Sequence, residues 1–144
     1  IYTLSLHDAL PIYELPAASP IQTKKDLEGK SVCTLAGAFV IDKIHKLPGQ
    51  KIQVKTADGN EQCLVKLLAG EVDASVLDGV PGIYYANHNP GAFRILPENF
   101  GKDEYAYGIR ISDATLAEEF NRALAAIKAD GTMQAIRERW LGKK

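Results

Sequence analysis

The chain has 144 residues, of which 46% are hydrophobic and 24% charged, and its formal net charge is −1. This composition is typical of a soluble globular domain and excludes an intrinsically disordered chain. Lys and Arg form no basic stripe, and apolar runs stay shorter than the roughly 18 residues of a membrane-spanning helix, so neither nucleic acid nor stable membrane insertion is expected.

Residues 1–12 are expected to contribute nothing to the fold. They lack the basic start, the uninterrupted apolar stretch and the small-residue cleavage site of a signal peptide. Their sequence instead resembles the translated sequencing-adapter scar found at the ends of some metagenomic reading frames. Because the chain begins at Ile1 rather than Met, we expect a mature product or a fragment, with residues 1–12 as a non-native leader.

Between residues 30 and 96, short apolar or alternating segments predict strands, and amphipathic segments between them predict helices. The predicted strands are residues 30–35, 51–55, 72–77 and 93–96. The second helix opens at Asp58, which is placed to cap it with Glu61 three residues later, and Gly70 ends it. This alternation is the order of a parallel sheet with helices on both faces.

The tail of the chain has a different pattern. Residues 105–111 predict one more strand. An amphipathic helix follows, and Asp130-Gly131 separates it from a short final helix. The apolar stripe of the longer helix consists of Leu116, Phe120, Leu124 and Ile127.

The two cysteines, Cys33 and Cys63, lie 30 positions apart and have neither Cys-x-x-Cys spacing nor a nearby His, so a zinc site is not expected. Two buried thiols, one on a strand and one on a helix, fit this spacing. A disulfide in an oxidising compartment fits it as well. Sequence alone does not establish the geometry, so the pairing stays open.

Four segments carry motifs that appear together, in this order, in one protein family. They are Ser19-Pro20-Ile21 through Gly29-Lys30, Leu68 to Ala74 followed by Val76-Leu77-Asp78, Tyr107-Gly108-Ile109, and Leu124 to Leu141. With these motifs the chain resembles the bacterial extracellular solute-binding proteins of family 3, which serve amino-acid ABC importers. We expect it to be an N-terminally truncated member.

The resemblance implies an α/β fold of the periplasmic-binding-protein type, in which two lobes close on a ligand. Residues 13–19 would then be a hinge-proximal segment. Residues 20–103 would form a nearly complete second lobe with a parallel sheet and flanking helices. Residues 104–144 would supply the return strand and C-terminal helices of a first lobe that is mostly missing.

The function implied is capture of a small polar solute, an amino acid or related organic acid, for an ABC transporter permease. The location implied is the periplasm or another extracytoplasmic space. No cofactor, no metal and no enzymatic activity are expected, since no catalytic spacing is found. Two alternatives keep the same fold: a ligand-sensing domain of a receptor or cell-wall enzyme, and a dehydratase-like enzyme. The ligand itself stays open, because much of the pocket would belong to the missing lobe.

Candidate ligand-binding residues lie at the carboxyl ends of the predicted strands, where α/β sheets bind ligands. Asp78 follows a buried strand, and the family's aspartate at this motif position holds the α-amino group of the ligand. The alternative for Asp78 is a capping role before Gly79, which is common for Asp.

The turn of Gly37, Ala38 and Phe39 is the second candidate, because backbone N–H groups at a helix start suit a carboxylate. Many family members have Ser or Thr at the two positions after this glycine. Ala38 and Phe39 lack those hydroxyls, so Phe39 would line or narrow the cleft, or else pack in the core. Tyr107, beside the expected hinge, is the remaining candidate.

Overall fold

The computed structural model describes residues 11–47, 49, 51–100 and 105–142. Contacts between Cα atoms divide the chain into two compact units. The described residues up to 100 belong to the larger unit, and those from 105 onward belong to the smaller one.

Five strands form one sheet in the larger unit, in the order β3–β2–β4–β1–β5. They are β1 Ile12–Pro16, β2 Ser31–Leu35, β3 Gln53–Ala57, β4 Ala74–Leu77 and β5 Phe93–Asn99. The helices of this unit are α1 Val40–His45, α2 Asn60–Leu68 and α3 Gly79–His88, and a 3-10 turn at Lys24–Leu27 precedes β2. The strand–helix alternation predicted between residues 30 and 96 is therefore confirmed.

The sheet is mixed rather than purely parallel. β2 pairs in parallel with β3 and β4, as predicted, but β1 is antiparallel to both β4 and β5. β5 therefore runs in the same direction as β4, with β1 inserted between them. The four predicted strands, β2 to β5, thus share one direction as expected, and the antiparallel strand is β1, which was not predicted. β1 precedes the first strand–helix–strand unit, so no crossover connection sets its direction. The α/β class with flanking helices is confirmed.

β1 is the strand that the sequence pattern did not reveal. Its residues Ile12, Tyr13, Glu14 and Leu15 are all buried, so the strand is covered on both faces and shows no alternation. Pro11 is also fully buried. The expectation that residues 1–12 contribute nothing to the fold is therefore wrong for Pro11 and Ile12, whereas residues 1–10 lie outside the described residues.

Two apolar clusters cover the two faces of the sheet. One cluster joins the sheet to α1 and includes Tyr13, Leu15, Val32, Val76, Leu96, Val40 and Ile44. The other joins the opposite face to α2 and includes Cys33, Leu77, Phe93, Cys63, Leu64 and Leu67. Because both faces are closed, a small molecule can reach the sheet at its strand ends.

The smaller unit contains two helices, α4 Ala114–Ala129 and α5 Thr132–Leu141, which pack on each other. Along the predicted stripe of α4, Leu124 is buried whereas Leu116 is exposed. The strand predicted at residues 105–111 is wrong, since a single bridge at Tyr105 is followed by irregular backbone and a turn. A strand needs a neighbouring strand for its hydrogen bonds, and the described part of this unit consists otherwise of helices.

Candidate functional site

A cavity of about 320 Å³ opens at the carboxyl ends of β2 and β4. Ten residues line it: Thr34, Leu35, Gly37, Ala38, Phe39, Val40, Asn60, Val76, Leu77 and Asp78. Four of the five candidate residues therefore come together at this cavity, and they were selected from two segments about 40 positions apart in sequence. They meet because β2 and β4 are hydrogen-bonded neighbours that run in the same direction.

The loop after β2 makes a tight turn at the cavity. The Ala36 N–H donates to the carbonyl of Ala57 at 2.8 Å, which continues the β2–β3 ladder by one residue. Gly37 then has φ of +75°, a left-handed conformation that favours glycine. The Ala38 N–H donates back to the Leu35 carbonyl at 3.1 Å. This N–H is therefore used inside the turn, which removes one donor from those expected for a ligand carboxylate.

Phe39 follows this turn and forms one wall of the cavity. Its side chain is 50% exposed, so it is not a core residue. The Lys43 ammonium lies 4.8 Å from the centre of the Phe39 ring, within the range of a cation–π contact. The cavity therefore has an aromatic, partly solvated wall at Phe39.

Asp78 lies directly after β4 at the N-cap position of α3. Its backbone is extended, with φ of −61° and ψ of 149°, and its carbonyl accepts the Gly82 N–H at 3.0 Å. The half-buried side chain makes no capping hydrogen bond to α3. Asp78 therefore lines the cavity, and its side chain forms no hydrogen bond that caps α3, which was the alternative role for this residue.

Asn60 and Thr34 line the same cavity and were not selected from the sequence. Thr34 is buried, and its hydroxyl donates to the Val76 carbonyl at 3.0 Å, which ties β2 to β4. Asn60 is the first residue of α2, whose N-cap is Gly59 rather than the predicted Asp58. The predicted parallel sheet already implied that the carboxyl end of β3 lies at the same edge as that of β2. That β3 is the direct neighbour of β2, which brings Asn60 to this cavity, is known only from the structure.

The two cysteines form a disulfide, with Cα atoms 5.4 Å apart. This separation lies within the usual range for such bonds. Both residues are fully buried, Cys33 on β2 and Cys63 on α2. The question that the sequence left open is thus answered by the pairing of a strand with the helix that covers it.

Tyr107 belongs to the smaller unit, where its ring centre lies 4.8 Å from that of Phe120 on α4. It helps to line an apolar cavity of about 330 Å³ with residues of α4 and α5. Its side chain is 46% exposed. Within this unit Tyr107 thus acts as a packing residue that covers part of the α4 stripe.

Metal-binding clusters of three or more His, Cys, Asp or Glu side chains are absent from the described residues. Within the same part of the chain, no helix has both the length and the apolar character needed to cross a membrane.

Residues 17–143 match the family described as bacterial extracellular solute-binding proteins, family 3. The chain belongs to this family. Among curated relatives, it is 31% identical over 147 aligned positions to the glutamate-binding protein GluB of Corynebacterium efficiens, covering 97% of this chain and 49% of that protein. It is 27% identical over 122 positions to the L-cystine-binding protein TcyJ of Escherichia coli K12, covering 85% of this chain and 46% of that protein.

Solved structures of the same fold include an ancestral arginine-binding protein bound to glutamine. It superposes with a TM-score of 0.79 at 28% identity, covering 98% of this chain and 63% of the other. A variant of ArgBP from T. maritima superposes with a TM-score of 0.80 at 25% identity, covering 99% of this chain and 62% of the other. The chain spans about half the length of the curated relatives it matches.

Proposed function

We propose that this chain forms one side of the ligand site in an extracytoplasmic binding protein that delivers an amino acid, or a related organic acid, to an ABC importer. The observation that carries the proposal is the cavity at the carboxyl ends of β2 and β4, with the Asp78 carboxylate in its lining. A carboxylate at this place can form a charge-assisted hydrogen bond with a ligand ammonium group. The relatives named for glutamate and L-cystine, both α-amino acids, support this ligand class.

In this proposal the larger unit is the second lobe of the binding protein, and the segment from residue 104 onward belongs to its first lobe. The ligand would be enclosed when a first lobe closes over the cavity, and an importer permease would receive it. The buried disulfide supports an extracytoplasmic location, because such bonds persist in oxidising compartments.

The lining of the cavity favours binding over catalysis. Asp78 is the one acidic side chain among the described lining residues, and these include no His, Cys or Lys. A dehydratase would need a second acid–base group within reach of its substrate. The cavity therefore supports a binding protein better than the enzymatic alternative.

Titration calorimetry of the complete gene product tests the proposal. Binding of L-glutamate, L-glutamine, L-arginine and L-cystine should reveal at least one ligand, and Asp78→Asn should weaken its binding by roughly 1.5–3 kcal/mol, the range for a hydrogen bond to a charged group. The matched control is Asp42→Asn, since Asp42 is exposed and does not line the cavity. The proposal fails if the complete protein binds none of these compounds, or if Asp78→Asn behaves like the control.

A further inference from the structure

Three polar side chains line the cavity: Thr34, Asn60 and Asp78. The Thr34 hydroxyl donates its proton to the Val76 carbonyl, so this side chain stabilises the pairing of β2 with β4. The Asn60 amide is neutral, half-buried, and able both to donate and to accept hydrogen bonds. It is therefore the second polar group of this cavity, after Asp78, that can distinguish one polar ligand group from another.

The disulfide holds Asn60 at the cavity. Asn60 begins α2, and Cys63 follows three residues later, which is nearly one helical turn. The bond from Cys63 to Cys33 fixes this first turn to β2, and β2 leads directly into the cavity loop. The start of α2 thus has a covalent anchor, in addition to the buried Leu64 and Leu67 side chains on the same helix.

A second link joins α2 to α3. The Tyr85 hydroxyl on α3 donates to the carboxylate of Glu61, the residue next to Asn60. This hydrogen bond raises the pKa of Tyr85 to about 12 and lowers that of Glu61. Because Asp78 is the N-cap of α3, the helices that carry Asn60 and Asp78 are held to each other. Recognition of a particular ligand requires polar groups in such a fixed arrangement.

We infer that Asn60 is a specificity-determining residue of the cavity, whose amide contacts the polar group of the bound ligand. The inference rests on the proposed function. A neutral amide in the same cavity as Asp78 adds no second negative charge, so it tolerates neutral and acidic ligand groups. A carboxylate at the same position would repel an acidic ligand and attract a cationic one.

The test measures the dissociation constants of L-arginine, L-glutamine, L-glutamate and L-cystine for the complete gene product and for Asn60→Asp. We expect the variant to shift the preference toward L-arginine and away from L-glutamate by about tenfold or more, as is typical for a charge placed in a partly desolvated site. Gln62→Glu makes the same amide-to-carboxylate change on the same helix, at an exposed position outside the cavity lining, and should leave the preference unchanged.

A second variant keeps the test decisive if Asn60→Asp does not fold. Asn60→Ala removes the amide without adding charge, and should weaken the preferred ligand about three- to tenfold, the value of one hydrogen bond. If the complete protein binds a ligand but both Asn60 variants retain its affinity and preference, the inference alone is overturned. If the unmodified protein binds none of the four compounds, the proposed function fails and the inference fails with it.

Discussion

Glu14 places a carboxyl group in the interior of the sheet, and replacing it with Gln should alter how stability depends on pH. The residue lies at the centre of β1, opposite Ser75 of β4, and is fully buried. α3 crosses over it at Gly82, where a Cβ atom would lie 3.3 Å from Glu14 Oε1. Among the described residues, neither carboxyl oxygen of Glu14 has a hydrogen-bond partner. Burial therefore raises the pKa of Glu14 from 4.5 to about 8.

The sign of the effect follows from the two pKa values. The unfolded chain releases the Glu14 proton near pH 4.5, whereas the folded chain retains it until about pH 8. The contribution of Glu14 to the free energy of unfolding is therefore fully present below pH 4.5 and declines as the pH rises toward 8. The reason is that the carboxyl ionises in the unfolded state while the folded state keeps it neutral. At about 1.4 kcal/mol per pH unit, the shift from 4.5 to about 8 corresponds to a loss of about 5 kcal/mol, which is an upper limit because local relaxation around the carboxylate lowers it.

The pH dependence can be measured by urea unfolding at pH 5, 6, 7 and 8, which gives the free energy of unfolding of the unmodified 144-residue chain and of its Glu14→Gln variant. Gln has nearly the same shape and no charge, so the variant should gain stability relative to the unmodified chain with each step in pH. Glu28→Gln changes an exposed residue and should follow the unmodified chain. If the difference between Glu14→Gln and the unmodified chain is the same at pH 5 and pH 8, the assignment of a buried neutral carboxyl is wrong.

Three further predictions concern stability and association. Replacing Cys33 and Cys63 by Ala should lower the free energy of unfolding by about 3–4 kcal/mol, because the disulfide closes a loop of 30 residues in the unfolded chain. A loss below about 1 kcal/mol in urea unfolding would contradict this prediction. Gly82→Ala should lower the free energy of unfolding by about 1–3 kcal/mol despite the better helix propensity of Ala, because its Cβ would lie 2.6 Å from Ile12 Cδ1. Ile12→Val removes that Cδ1 atom and, when combined with Gly82→Ala, should recover part of the loss in the same assay. The 144-residue chain should self-associate through exposed apolar side chains of α4 and α5, and Leu116→Gln should lower the fraction of associated chains in sedimentation velocity. A chain that stays monomeric at high concentration would show that these helices need no partner.

Local patterns in the sequence predicted β2 to β5 and α1 to α3, because each combines a run of apolar residues with a turn signal at its end. The same patterns failed where an element depends on distant neighbours. β1 has no alternation because both its faces are covered, and residues 105–111 have a strand-like composition but form no strand.

The residues of the candidate site were likewise predicted only in part from the sequence. Sequence order and the motif after β4 were enough to predict that Gly37, Ala38, Phe39 and Asp78 lie at one edge of the sheet. The order of the strands, which no local pattern encodes, brings β3 beside β2 and so adds Asn60 to the cavity.

The sequence by itself determined the α/β class, the family and the edge of the sheet where a ligand would bind, because these follow from periodicity and from short motifs. Only the tertiary structure decided the direction of β1, the pairing of Cys33 with Cys63 and the burial of the Glu14 carboxyl. Each of these depends on contacts between residues far apart in the chain, which form only when the strands and helices pack together.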